Sequence, residues 1–198
     1  KFRVGYEKTL KQFEYIPQPK IISTNLKIDL LPSKRSYEID GEYVLTNTFE
    51  EPIQTIHIQK IVESNVQLGE ITFDHKVSSD SLYAAYDYII YKLNQPLSFG
   101  DTMKMAFKQI LAAKGFDIQG NETEIAYNGT FFDNTALPGF GYQKKYEIQD
   151  EDLRLKLDLR PRIEKADRTD QQAVQYARSG SDSKGLLLDV IISTEAPQ

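Results

Sequence analysis

The 198-residue sequence has no cysteine, no tryptophan and only two histidines. Without cysteine it forms no disulfide, thiolate zinc site or iron–sulfur cluster, and it has no thiol nucleophile. Two histidines are too few for most self-contained hydrolytic metal sites. His57 lies in Ile56-His57-Ile58 and His75 in Asp74-His75-Lys76, and neither begins the H-E-x-x-H pair that sets two imidazoles on one helix face. Basic residues are also scarce, 24 Lys+Arg against 29 Asp+Glu, and the net charge of −5 argues against nucleic acid or an anionic membrane surface as partner. No apolar run reaches 18 residues, so no segment reads as a membrane span, and no signal peptide is recognisable. With only 11 Gly and 8 Pro, 40% hydrophobic and 27% charged residues, the composition is that of a globular chain. It begins with Lys1, so the expectation is a segment of a longer protein.

What is present changes period early. Phe2, Tyr6, Leu10 and Phe13 recur at steps of three or four with Arg3, Lys8 and Lys11 between them, which predicts a short amphipathic helix ended by Pro17 and Pro19. Residues 1–19 are therefore read as a helix and linker, packed on a domain edge or continuing from a preceding membrane segment. From Ile22 the period becomes two. Ile22, Leu26, Ile28 and Leu30 alternate with polar residues, and Tyr37, Ile39, Tyr43, Leu45 and Phe49 oppose Glu38, Asp40, Glu42, Thr46 and Thr48. Further strands are expected around Ile56–Ile58, over Val66–Phe73, over Tyr83–Leu93 and over Met103–Phe107, with a turn at Pro96–Asp101. Six such strands in the first 115 residues predict a mainly β fold, an antiparallel β-sandwich or saddle with short flanking helices, over 20–198. Asp150-Glu151-Asp152 predicts a second short helix through Leu157. Leu186, Leu188, Val190 and Ile192 predict one late strand with nothing following to cover it, as though the domain were completed elsewhere.

Candidate chemistry is thin. Glu50/Glu51 and Asp150/Glu151/Asp152 are adjacent acids in turns, not a carboxylate pair across a cleft, and they lack calcium-loop spacing. No G-x-S-x-G elbow supports either histidine as a base, so His57 reads as a polar-face strand residue and His75 as a turn residue. Tyr86 and Tyr88 share one face of their expected strand and Tyr83 and Tyr91 the other, so they form no single sugar-stacking stripe. The aromatic, glycine-bearing block 127–142 is too apolar for an ordinary solvated loop. It reads either as packing or as a binding surface.

The strand order, the Gln95-Pro96-Leu97…Gly100-Asp101 turn and the late strand Leu186–Ser193 resemble the N-terminal β-domain of aminopeptidase-N-like zinc metallopeptidases. Tyr127-Asn128-Gly129-Thr130-Phe131-Phe132-Asp133-Asn134, Gly139-Phe140-Gly141-Tyr142, Leu159-Arg160-Pro161-Arg162 and Ile192-Ser193-Thr194 look like a bacterial subgroup joined to an ABC-2-type transporter permease. The resemblance implies a non-catalytic domain on the extracytoplasmic, periplasmic side, attached to the inner membrane through its parent. Its partners would be a C-terminal catalytic-type domain and the permease region, with no nucleic acid, and the fragment itself would be soluble. Zinc is expected only in that catalytic domain and no cofactor in this chain. Asn128, Thr130, Phe131, Phe132, Phe140 and Tyr142 would be the residues nearest the substrate pocket or the domain interface. The family pattern has a Gln and then an Arg in this region, whereas no Arg occurs between Asn128 and Gln143 here. The alternative expectation is a free-standing module that binds glycan or protein through block 127–142.

Overall fold

The computed structural model describes residues 2–60, 66–112, 125–126, 129–130, 137–162, 169 and 185–195. The fold is mainly β, two packed sheets with a few short helices. The chain opens with α1 (Phe2–Leu10), continued by a 3-10 turn at Lys11–Phe13. There follow β1 (Lys20–Leu31), β2 (Ser36–Thr46), β3 (Ile53–Gln59), β4 (Val66–Phe73), β5 (Val77–Asp80), β6 (Tyr88–Leu97) and β7 (Thr102–Ala112). Short pairings then form at β8 (Ile125–Ala126), β9 (Gly129–Thr130) and β10 (Gly139–Phe140), before α2 (Glu151–Lys156) and β11 (Leu187–Thr194).

One sheet has five strands in the order β11-β1-β2-β7-β4, and the other has four in the order β10-β3-β6-β5. All neighbours are antiparallel except β1 and β11, which run parallel in unbroken register from Ser23↔Leu187 to Leu30↔Thr194. The alternation in the sequence decides which side chains meet. Leu26 and Ile28 from β1, Tyr37, Ile39, Tyr43 and Leu45 from β2, and Met103, Met105, Phe107 and Leu111 from β7 face Ile56 and Ile58 of β3 and Tyr91 and Leu93 of β6. Each such side chain contributes about 1.5–3 kcal/mol by leaving water, and this interface is the main source of stability. Gly41 is required inside it. A Cβ there would lie 2.2 Å from the Phe107 ring, which occupies the space that the missing side chain leaves.

The four-stranded sheet is buried on its second face as well. Tyr6 and Leu10 of α1 pack there against Tyr88, with Phe2, Phe13, Tyr83, Tyr86, Tyr142 and Tyr146 around them. This second layer corrects the reading of His57. The ring does point away from Ile56 and Ile58, but α1 and its 3-10 extension cover that face, and His57 is only 2% exposed. Period two tells which residues share a face; it does not tell whether a later or earlier segment will cover it.

Three further details differ from expectation. The Tyr-rich strand starts at Tyr88, because Tyr83–Asp87 turns through a 3-10 step with Asp87 in the left-handed region at φ 54°. Tyr83, Tyr86 and Tyr88 therefore converge on one cluster, not on opposite faces. Pro96 and Leu97 finish β6, so the turn proper is Ser98–Asp101, with Gly100 at φ 79°. A seventh early strand, β5, was not anticipated because Val77-Ser78-Ser79-Asp80 carries a single apolar residue and pairs at the sheet edge. The second helix does form, with Asp150 as N-cap accepting a 2.8 Å hydrogen bond from the Leu153 N–H.

Candidate functional site

The segment 137–162 returns across the end of the four-stranded sheet and meets α1. β10 adds to the β3 edge, pairing Phe140 with Ile58 and Gly139 with Gln59. The Phe140 ring turns inward, half-buried, 6.1 Å from the Tyr43 ring. Gly141 then takes φ 68°, a left-handed conformation that glycine adopts without steric cost, and its N–H donates to the His57 carbonyl at 2.8 Å. That turn places the Tyr142 ring in a stack on Tyr6, with centroids 5.2 Å apart. The next N–H, of Gln143, donates to the Tyr6 hydroxyl at 2.9 Å.

Charged groups converge beneath these rings. Glu147, 1% exposed, accepts from Lys11 Nζ at 2.6 Å and from the Tyr142 hydroxyl at 3.0 Å, and Arg162 lies 3.5 Å from its second oxygen. Lys11 also reaches Glu14 at 3.2 Å, and Lys144 reaches the other Glu14 oxygen at 2.8 Å. Burial alone would lower the Lys11 pKa, but the bonds to Glu147 and Glu14 outweigh it and hold the ammonium charged. Burial, and then the adjacent Glu147 charge, raises the Tyr142 hydroxyl pKa, so it stays a neutral donor. A few residues away Arg154, also 1% exposed, clasps Glu7 with two bonds of 2.6 and 3.0 Å, and it donates to the carbonyls of Ile148 and Arg160. Chain segments about 140 residues apart are thus locked together by paired, fully hydrogen-bonded charges.

Neither histidine is placed for catalysis. His57 is held by Tyr88 OH on Nδ1 and Thr55 Oγ1 on Nε2, each at 3.0 Å, with the Phe13 ring against it. Both hydroxyls can donate or accept, which satisfies either neutral tautomer, and burial pushes the pKa down to about 4. His75 sits in an exposed turn 2.7 Å from Asp74. Asp150, Glu151 and Asp152 cap α2 and remain exposed. Among the described residues no three His, Asp or Glu side chains are grouped as a metal would require.

Of the residues expected near a substrate or interface, Phe140 and Tyr142 come together at this junction. Thr130 lies in β9, paired through its backbone with Ile125. Asn128, Phe131 and Phe132 lie outside the described residues. Sequence reading missed Glu7, Glu147 and Arg154. Glu7 had one available signal, being a carboxylate between Tyr6 and Leu10 on the apolar side of α1, but nothing local identified its partner.

The outer face of the five-stranded sheet carries a trough of about 730 Å³ whose lining includes Lys27, Asp40, Glu42, Glu70, Asp189 and Ile191. Two of its acids are already matched, Asp40 by Lys108 at 3.0 Å and Glu42 by Lys104 at 3.1 Å.

No protein-family model matches the chain, and no curated protein matches it. Among solved structures, an M1 zinc metallopeptidase from Deinococcus radiodurans is similar at a TM-score of 0.38 and 12% identity, over 50% of this chain and 21% of that one. A mutant of the Deinococcus radiodurans enzyme bound to a Tyr-Ser-Ala substrate gives 0.36 and 11%, over 51% and 22%. A two-domain M1 zinc metallopeptidase mutant bound to L-arginine gives 0.38 and 13%, over 52% and 23%. Each match spans less than a quarter of the solved chain.

Proposed function

We propose that this chain is a non-catalytic, extracytoplasmic β-domain of a membrane-anchored, aminopeptidase-like protein, and that it supports and partly walls a neighbouring zinc-peptidase-type domain. The motifs Tyr127–Asn134, Gly139–Tyr142 and Leu159–Arg162 suggest the kind of parent. The observation that carries the non-catalytic half is the use made of the ionisable side chains. His57, Glu7, Glu147 and Arg154 are all buried, and each is bonded to structural partners from another part of the chain. A hydrolytic site needs an acid, base or metal-bound water with a free position toward substrate. At these four residues those positions are occupied by the protein itself.

In this reading zinc belongs to the neighbouring domain, and the permease region of the same parent is the further partner. The block containing Asn128, Thr130, Phe131, Phe132, Phe140 and Tyr142 is the side turned to that neighbour. The rings of Phe140 and Tyr142 pack inward on Tyr43 and Tyr6, so they would support that side from within and offer no platform for stacking sugars.

The test is direct. The purified chain is assayed for metal by elemental analysis and for release of aminoacyl chromophores. We expect no stoichiometric zinc and no turnover, and bound zinc with turnover would overturn the assignment. Co-expression with a zinc-peptidase-type domain of the proposed parent should yield a stable complex with this chain, whether that domain carries an intact H-E-x-x-H with a later Glu or a degenerate one.

A further inference from the structure

β11 is built unlike the other strands. The stretch Leu186–Ile192, which leads into and forms most of β11, contains five branched aliphatics besides Val190, one Asp, and no Lys, Pro or Gly. All eight of its residues are exposed, with Leu187 at 74%, Leu188 at 62% and Ile192 at 61%. One edge is bonded to β1; among the described residues no strand pairs with the other. Natural sheets protect such an edge with charge, proline, a bulge or a covering element, because bare N–H and C=O groups flanked by apolar side chains recruit another strand. Asp189 is the one charge in β11, and among the described residues no proline, bulge or covering element interrupts its β1 register.

The charges beside it indicate what that strand is. Cross-strand partners on the outer face run Lys108–Asp40–Lys27–Ile191 along one row and Ala106–Glu42–Asn25–Asp189 along the next. Lys108 and Asp40 are paired at 3.0 Å, whereas Lys27 and Asp189 make no ion pair among the described residues. A second β11, antiparallel about a two-fold axis at Val190, sets Asp189 of one copy opposite Ile191 of the other. The first row then continues as Lys108–Asp40–Lys27–Ile191–Asp189, the last residue coming from the second copy, and signs alternate on either side of the isoleucine. Lys27 and that Asp189 stand two strand spacings apart, about 10 Å between backbones, a gap that a lysine stem closes. On the core-side face the same register puts Leu188 opposite Ile192 and Val190 opposite Val190. Moving the axis to Asp189 would oppose two carboxylates, and moving it to Ile191 would set Leu188 against Thr194 and separate the charges.

We propose that β11 is the seam of a two-fold homodimer in which two five-stranded sheets join into one of ten. The six aliphatics Leu186, Leu187, Leu188, Val190, Ile191 and Ile192 expose on the order of 600 Å² per copy, near the ~800 Å² that each partner gives to a standard interface. The seam covers part of this area, which puts the pairing among small, reversible interfaces. The dimer does not rest on the proposed function, and neither zinc content nor turnover enters its test.

Sedimentation equilibrium of the 198-residue chain from about 1 to about 200 µM reads the association directly. The expected result is a reversible monomer–dimer equilibrium. Val190→Lys, which faces two ammonium groups across the axis, should weaken it at least about a hundredfold. Because both are exposed, exchanging Lys27 and Asp189 tests the register without disturbing the core. Asp189→Lys alone should weaken dimerisation about tenfold, and adding Lys27→Asp should recover most of that loss. Circular dichroism confirms that each variant is folded. A wild-type chain that stays monomeric throughout, leaving the β11 edge to some other surface, overturns the proposal. So does a dimer indifferent to Val190→Lys, or a double exchange that recovers nothing.

Discussion

Removing the Arg154 guanidinium should be the most damaging single change outside the sandwich core. Arg154 and Glu7 are 1% and 3% exposed, and the pair is bidentate. Arg154→Met leaves the Glu7 carboxylate buried without a counter-charge, and removes the donor from the Ile148 and Arg160 carbonyls. Breaking one side of such a pair costs about 3–5 kcal/mol, since the orphaned charge keeps its desolvation penalty and loses the attraction that offset it. At about 2–4 °C per kcal/mol for a chain of this size, the midpoint of thermal unfolding should fall by about 10 °C. Glu7→Leu should cost a similar amount. Combining the two removes both charges at once. The remaining loss is confined to the Ile148 N–H and the two carbonyls, so the double variant should lie only about 2–3 kcal/mol below wild type. Urea unfolding of all four proteins gives the coupling energy, expected to be at least about 3 kcal/mol. Hydrogen exchange should show where the single variants open: amides of α1 and of 148–160 lose protection first, while β2 and β7 keep it. If the double cost equals the sum of the singles, the pair is not a unit and the clasp between the N-terminal helix and the later segment is misconceived.

Two other perturbations probe the two faces of the four-stranded sheet and its opposite number. His57 is neutral and buried in the folded chain with a pKa near 4, against about 6.5 when unfolded. The unfolded state therefore binds the extra proton between these values. Stability should be complete above about pH 6.5 and fall as pH drops toward 4, by up to about 3 kcal/mol, and His57→Gln should flatten that slope in urea titrations. A pH dependence between 4 and 6.5 that survives the substitution would place its origin elsewhere. Gly41→Ala should destabilise by about 1–3 kcal/mol or more because its methyl collides with Phe107, and Phe107→Leu in the same chain should recover part of the loss. Thermal melts of the wild type and these two variants decide this, and an unperturbed Gly41→Ala would show that the ring has room to move.

The strands of the sandwich were legible because each carries its own two-residue alternation. β2 announces its face through Tyr37, Ile39, Tyr43 and Leu45, and the same four side chains are buried in the core. The helices were legible for the same local reason, from the spacing of Phe2, Tyr6, Leu10 and Phe13 and from the acids around the Asp150 cap. What was hidden is whatever depends on a partner far along the chain. His57 was assigned to a polar face because period two says nothing about α1 folding back over it. Tyr83 and Tyr86 were assigned by alternation, although the backbone turns through Asp87 before the strand begins. β5 was hidden for the opposite reason, since edge strands tolerate polar residues and leave little pattern to read.

The same limit explains why the candidate site looks different from the sequence than from the fold. A list of acids, two histidines and a run of aromatic residues leaves room for catalysis, because sequence alone does not say which charges are spent on one another. The fold spends them. Arg154 satisfies Glu7, Lys11 and Arg162 satisfy Glu147, and Tyr88 satisfies His57, each from a distant part of the sequence, with Thr55 two residues away completing the His57 pair. Reactive groups in enzymes are left partly unsatisfied so that the transition state completes them. By that criterion this junction behaves as a fastening, and among the described residues the aliphatic edge of β11, with Lys27 and Asp189 beside it, is one surface left open at a sheet margin. The buried polar junction holds α1 and residues 137–162 in place, and the proposed β11 seam is where the five-stranded sheet is open to extension.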